Sequence, residues 1–161
     1  MNRLFRMLVI GTVLSAVGGA TAFAASKADP AIGTWTLNVE KSKFTPGPGP
    51  KSATRTYAQT ADGSIALTAS SVAADGTTTS GQSTFKYDGK DYAYTGSPDF
   101  DTISLKRVNA TTVKSAQKKN GTVIGWTTRS VSAHGKVLTL SSKGKDAKGM
   151  AFHSVAVYDK Q

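Results

Sequence analysis

The sequence predicts an all-β protein: a single antiparallel up-and-down β-barrel of about 8–10 strands, formed by one domain over residues 25–161. Three observations predict it. The stretch Gly33-Thr34-Trp35-Thr36-Leu37-Asn38-Val39 alternates strictly, with Trp35, Leu37 and Val39 on one face and Thr34, Thr36 and Asn38 on the other, as the two-residue period of a half-buried strand requires. Strand-sized runs then recur roughly every ten residues, punctuated by Asp62-Gly63, Asp75-Gly76, Asp88-Gly89, Asn120-Gly121 and His134-Gly135, pairs that place glycine where a reversal needs a positive φ. No segment after the first two dozen residues sustains a helical period.

The first strand carries Trp35, the side chain large enough to plug one end of a sheet that curls back on itself. Lys41 to Pro50 follows, and its alternating prolines and glycines suit an extended connector across an end or edge of the sheet, anchored by Phe44. Strands are then expected at 52–60, 64–72, 77–87, 91–95, 101–108, 111–118, 122–132, 136–143 and 150–159. Their apolar residues, among them Tyr57, Leu67, Phe85, Tyr87, Ile103, Leu105, Val113, Leu140, Phe152 and Tyr158, form one contiguous inner surface. Ala53, Ala69, Ser115, Ser141, Ser154 and Ala156 intervene, which predicts space or a polar lining rather than a dense hydrocarbon core.

Residues 1–24 read as an export signal: Arg3 and Arg6 precede the apolar run Met7 to Val17, and Ala22-Phe23-Ala24 supplies a small-x-small cleavage site. The product is expected to start at Ala25 and to be periplasmic or secreted, and no later run is apolar enough to span a bilayer. Without Arg3 and Arg6 the basic count falls from 20 to 18 against 10 acids, leaving a charge of +8. The lysines are scattered one or two per strand or turn, a pattern of solubility and edge protection, and no basic stripe interleaved with aromatics offers a specific nucleic-acid site. The absence of cysteine excludes a disulfide framework, a thiol nucleophile and a lipid-modified N-terminal cysteine.

Arginine usage is selective. Residues 25–161 hold 15 lysines but only Arg55, Arg107 and Arg129, each on the parity of apolar neighbours: Arg55 with Tyr57, Arg107 with Ile103 and Leu105, Arg129 with Val123 and Val131. A planar, weakly hydrated guanidinium tolerates an inward position better than lysine and can hold a carboxylate or phosphate with two hydrogen bonds. The three arginines are therefore candidate ligand-binding residues, with Tyr57, Phe152 and Tyr158 beside them. The alternative is structural: an arginine stacked on Trp35, or turned outward by a bulge.

Other chemistry is sparse. Trp126 has the parity opposite to Arg129, which places it on the outer surface or signals a bulge near Gly125. His134 and His153 lack metal-ligand spacing, the serines lack a nucleophile elbow, and Asp99 and Asp101 read as turn-capping carboxylates. Asn109 and Asn120 open glycosylation-type triplets that matter only in a eukaryotic secretory host. No catalytic residue, metal site or cofactor is expected, and the chain is expected to be a monomer.

Gly33-Thr34-Trp35 at the first strand and Val157-Tyr158-Asp159-Lys160 at the last make the chain resemble the calycins, the lipocalins and fatty-acid-binding proteins. Gln117 to Gly121, Thr127-Thr128-Arg129 and Gly135 to Leu138 resemble the closing third of a fatty-acid-binding protein. The whole pattern, with the Lys41 to Pro50 linker and a Tyr87 to Tyr92 hairpin, also resembles a group of small exported bacterial proteins, a resemblance that implies no activity. The calycin resemblance implies a barrel that holds an apolar molecule. It implies further that Arg129 matches the first of the two arginines, and Tyr158 the tyrosine, with which fatty-acid-binding proteins hold a ligand carboxylate. The second arginine of that set falls at Ala156, and the family's helical lid is replaced by the Pro/Gly linker.

Three readings of function follow. The leading one is an exported carrier or sensor barrel for a small apolar or anionic amphipathic ligand, its head group near Arg55, Arg107 and Arg129. The second is a non-enzymatic interaction module of the cell envelope that uses its loops or basic surface and has a packed interior. Catalysis, the third, rests on fold analogy alone.

Overall fold

The computed structural model describes residues 28–146 and 148–161, so the export signal expected at 1–24 and the cleavage expected before Ala25 lie outside the described residues. Eleven strands follow one another: β1 (Gly33–Leu37), β2 (Lys43–Thr45), β3 (Ser52–Gln59), β4 (Ile65–Val72), β5 (Thr78–Phe85), β6 (Asp88–Ala93), β7 (Thr102–Arg107), β8 (Thr112–Lys119), β9 (Thr122–Val131), β10 (Val137–Lys145) and β11 (Ala151–Lys160). They form one antiparallel sheet in the order β5-β4-β3-β1-β11-β10-β9-β8-β7-β6, with β2 added beside β11. The first and last strands thus pair in mid-sheet, Trp35 opposite Lys160 and Leu37 opposite Tyr158. β5 and β6, the ends of that order, meet through the Gln82–Thr95 bridge and a Ser83 Oγ hydrogen bond to Ala93 O at 2.7 Å. The barrel is nearly closed, with one weak seam.

Trp35 is fully buried, and its indole N–H donates to Ala31 O at 2.7 Å, so the residues ahead of β1 fold under the barrel end that Trp35 fills. Leu37, Tyr57, Ile65, Phe85, Val113, Val131 and Leu138 belong to the same buried cluster. Lys160, not an arginine, lies over the indole at 5.1 Å. Gly33 makes room for it: its φ is +127°, and a Cβ there would meet Lys160 Cε at 2.8 Å.

Four expectations are corrected. β1 stops at Leu37, and Val39 is exposed, because the chain turns at Asn38 and Ser42 takes over the pairing: Ser42 Oγ donates to Asn38 O and accepts from Val157 N. The Pro/Gly connector holds a short strand, β2, with Ser154 opposite Phe44; Phe44 packs on the core as its anchor. Asp88-Gly89 is not a reversal. It lies inside β6, where Gly89 at φ +80° makes an irregularity against β7 between Asp88 and Asp91, and the chain crosses from β5 to β6 at Lys86-Tyr87. Ser142, not Ser141, faces inward, since unbroken alternation from Leu138 and Leu140 leads to it.

Trp126 is both exposed and next to a bulge: β8 and β9 slip by one residue at Ile124, between the Gln117–Gly125 and Lys118–Val123 pairs. The slip keeps Gly125, Thr127 and Arg129 on the inner face while Trp126 points outward.

Replacing Trp35 by alanine removes the plug and its hydrogen bond. Chemical denaturation should show a loss of about 3–5 kcal/mol, the usual cost of truncating a buried tryptophan.

Candidate functional site

The barrel encloses a cavity of about 260 Å³. Leu67, Phe85, Ile103, Leu105 and Phe100 supply apolar lining, and Ser115, Gln117, Thr127, Ser142 and Ser154 supply polar lining from four adjacent strands. Arg55, Tyr57, Arg129 and Phe152, four of the candidates named from the sequence, line it too.

Arg129 is the most constrained of them. Its side chain is 7% exposed, and one arm of the guanidinium is occupied: Nη2 donates to the Tyr87 hydroxyl at 2.9 Å and lies 3.5 Å from Asp29 Oδ1. Its carbon sits 5.0 Å from the Tyr57 ring centre and 5.3 Å from that of Tyr87. Nε and Nη1 are buried with no hydrogen-bond partner. Burial alone would lower the Arg129 pKa, but Tyr57, Tyr87 and Asp29 outweigh it and raise the pKa, so the group stays charged.

Arg55 stands on the other side of Tyr57. Its Nε donates to the Tyr57 hydroxyl at 3.2 Å, and the guanidinium also neighbours Tyr158. Tyr57 is thereby held between two positive charges. Burial would raise its pKa, and Arg55 and Arg129 together bring it below the ordinary phenol value. The Tyr158 phenol is raised, chiefly by burial, with Arg55 pulling the other way.

Arg107 is placed apart from this group, which corrects its expected position among the ligand-facing arginines. It is the last residue of β7, at the rim, where it lies over the Tyr87 ring at 4.3 Å and donates to Asp29 Oδ2 at 2.6 Å. Inward parity there leads to the residues ahead of β1 and not to the cavity. Tyr158 meets Arg55, while Arg129 meets Tyr57 and Tyr87, so the Arg129–Tyr158 pair that the fatty-acid-binding resemblance implies is replaced by a different pairing.

Asp29 was not foreseen. Its carboxylate is 6% exposed, accepts from Ala31 N at 2.8 Å, and joins Arg107, Arg129 and Tyr87. Burial pushes its pKa up, but the hydrogen bond with Tyr87, the charge of Arg129 and the bonds from Ala31 and Arg107 hold it below the ordinary carboxylate value. Nothing in the local sequence marks Asp29, since it precedes the first strand. Tyr87 was legible as an inner residue by its parity with Phe85, but not as the partner of Arg129.

Asp101 caps a turn, accepting from Thr102 Oγ1 and Asn120 N. Asp99 lines the cavity beside Phe100. Among the described residues no group of three or more His, Cys, Asp or Glu is placed to hold a metal ion, and no helix is long and apolar enough to cross a membrane.

The fold is that of a calycin-like barrel. Among solved structures, the fluorescent protein UnaG superposes with a TM-score of 0.51 at 14% identity, over 81% of this chain and 96% of that one. The amine binding protein of Rhodnius prolixus, solved with tryptamine, gives 0.44 at 17% identity, over 83% and 65% of the two chains. The siderocalin Ex-FABP gives 0.39 at 8% identity, over 82% and 74%. No family model and no curated protein matches the sequence. At such identities the likeness is one of fold.

Asp29→Asn keeps the shape but leaves Arg129 and Arg107 without their counter-charge, so denaturation at pH 7 should show a loss of about 3 kcal/mol. Because the folded-state pKa of Asp29 is depressed, its contribution is complete above the unfolded value of about 4 and is lost as pH falls through the folded value. The gap between wild type and variant should therefore hold from neutral pH down to about 4 and close below it.

Proposed function

We propose that the protein is an exported carrier or sensor that holds a small amphipathic molecule inside its barrel, with an anionic or strongly accepting group on an unpartnered N–H of Arg129. The observation that carries this reading is the pair of unpartnered Arg129 donors, Nε and Nη1, buried beside an otherwise largely apolar cavity. Each unpartnered N–H of a charged guanidinium suits a carboxylate oxygen through a charge-assisted hydrogen bond. Apolar lining at Leu67, Phe85 and Phe152 would take the rest of the ligand.

The volume limits its size. About 260 Å³ corresponds to roughly nine waters of the liquid, hence to a molecule of about ten non-hydrogen atoms. Arg55 and Tyr57 act here as a fixed wall that keeps Arg129 in place, and Arg107 supports that wall through Asp29. A calycin-type barrel around a cavity is an arrangement suited to binding, which supports a carrier or sensor over an enzyme.

Octanoate titrated into the protein should bind, and Arg129→Gln should weaken it ten- to a hundredfold, about 1.5–3 kcal/mol for a lost charge-assisted bond. Uncharged octanol should be insensitive to the substitution. If octanoate does not bind, or if Arg129→Gln lowers the melting temperature and leaves affinity unchanged, Arg129 serves only the fold.

Export rests on Arg3, Arg6, the run Met7 to Val17 and Ala22-Phe23-Ala24. Intact-mass measurement of protein recovered from the periplasm or medium of its host should give a chain that begins at Ala25. A full-length mass, or recovery from the cytoplasm alone, would contradict this.

A further inference from the structure

Among the described residues, the buried side-chain polar atoms that lack a partner are Arg129 Nε and Nη1 and Gln117 Oε1. The two residues occupy different levels of one barrel wall. Cross-strand register sets Val113, Arg129, Leu140 and Ala156 side by side, and two residues further along sets Ser115, Thr127, Ser142 and Ser154 in a row. Two residues beyond lie Gln117, Gly125, Gly144 and Phe152. Arg129 and Gln117 thus stand at the two ends of a hydroxyl-lined strip, four residues apart along the strands, or about 13 Å at the backbone.

The strip between them is largely satisfied. Gln117 Nε2 donates to Thr127 Oγ1 at 2.8 Å, Thr127 Oγ1 and Ser142 Oγ share a hydrogen bond at 2.7 Å, and Ser115 Oγ donates to Thr127 O. With its amide nitrogen committed to Thr127, Gln117 presents only its carbonyl oxygen, an acceptor. Gly125, opposite it, leaves the space this oxygen needs, since a Cβ there would lie 3.1 Å from Oε1. A buried acceptor without a donor costs free energy, as does a buried guanidinium edge without an acceptor.

We infer that the ligand is polar at both ends: a small organic acid whose carboxylate meets an unpartnered N–H of Arg129 and whose far end carries a hydroxyl or amine N–H that donates to Gln117 Oε1. This rests on the reading of Arg129 as an anion site and adds the second end. The satisfied strip and the apolar wall of Leu67, Ile103 and Leu105 suit an apolar middle. A plain fatty acid would leave Gln117 Oε1 unpaired, whereas an ω-hydroxy acid of the right length would pair it as well as Arg129.

The probes are 8-hydroxyoctanoate, octanoate and 8-methoxyoctanoate, titrated calorimetrically into the full processed chain at pH 7. 8-Hydroxyoctanoate should bind roughly tenfold more tightly than octanoate. The methyl ether, which can accept but not donate, should bind no better than octanoate. Gln117→Met should erase the preference, so that the variant binds 8-hydroxyoctanoate no more tightly than octanoate; the ether comparison carries the test if that variant fails to fold. Equal affinities for the hydroxy acid and octanoate, or a preference shared by the ether, would overturn the inference. Octanoate binding that still depends on Arg129 would then leave the anion site standing, and failure of both acids to bind would remove both.

Discussion

A guanidinium inside a β-barrel costs several kcal/mol unless its charge and its N–H groups are met, and Arg129 is met on one arm only. Asp29 supplies the counter-charge, Tyr87 and Tyr57 supply hydroxyl and ring, and Nε with Nη1 is left over. The surrounding structure is arranged to hold that incomplete state. Asp29 reaches its position only because the residues ahead of β1 pass beneath the barrel, where the Trp35 indole N–H holds Ala31 O. The plug and the counter-ion are therefore one local structure, seven residues long from Asp29 to Trp35, and a change in either disturbs both.

The second arginine is used differently. Arg55 is tied to Tyr57 and neighbours Tyr158, so it stiffens the wall between the cavity and the β5–β6 side of the barrel. Arg107, at the rim, closes the lower network over Tyr87. Each arginine carries an aromatic partner, and that pairing explains why lysine, a compact and strongly hydrated charge, is absent from these positions. The polar row of Ser115, Thr127, Ser142 and Ser154 lies on the wall formed by β8 to β11, whose hairpins pair in long, regular register. The weak seam lies elsewhere, between β5 and β6, where Gly81 accommodates the Tyr94 ring.

Much of the fold was legible because alternation and Asx-Gly turns are local signals. Nine strands after β1 were expected within a few residues of where they lie, and Trp35 was placed at the barrel end by its size and its place on the first strand. What escaped depended on distant pairing. β2 forms only because β11 offers it an edge beyond Ser42, and Asp88-Gly89 has the composition of a reversal but is drawn into β6 by β7. The site divided along the same line. Parity gave Arg55, Tyr57, Arg129 and Phe152 an inner face, yet Arg107 shares that parity and ends at the rim, since parity says nothing of height along the barrel. Asp29 lies before any periodic segment, and Gln117, though on the parity of Val113 and Ser115, becomes notable only once its amide is seen committed to Thr127.

The most direct test of a half-paired Arg129 is the arginine Nε–H region of a ¹H–¹⁵N NMR spectrum of the protein, to which Arg3, Arg6, Arg55, Arg107 and Arg129 contribute. On addition of octanoate the Arg129 Nε–H resonance should shift as the guanidinium gains an acceptor, while Arg107, bound to Asp29 at the rim, stays in place. Octanoate binding that leaves Arg129 unmoved, or that shifts Arg107 in its stead, would contradict the account.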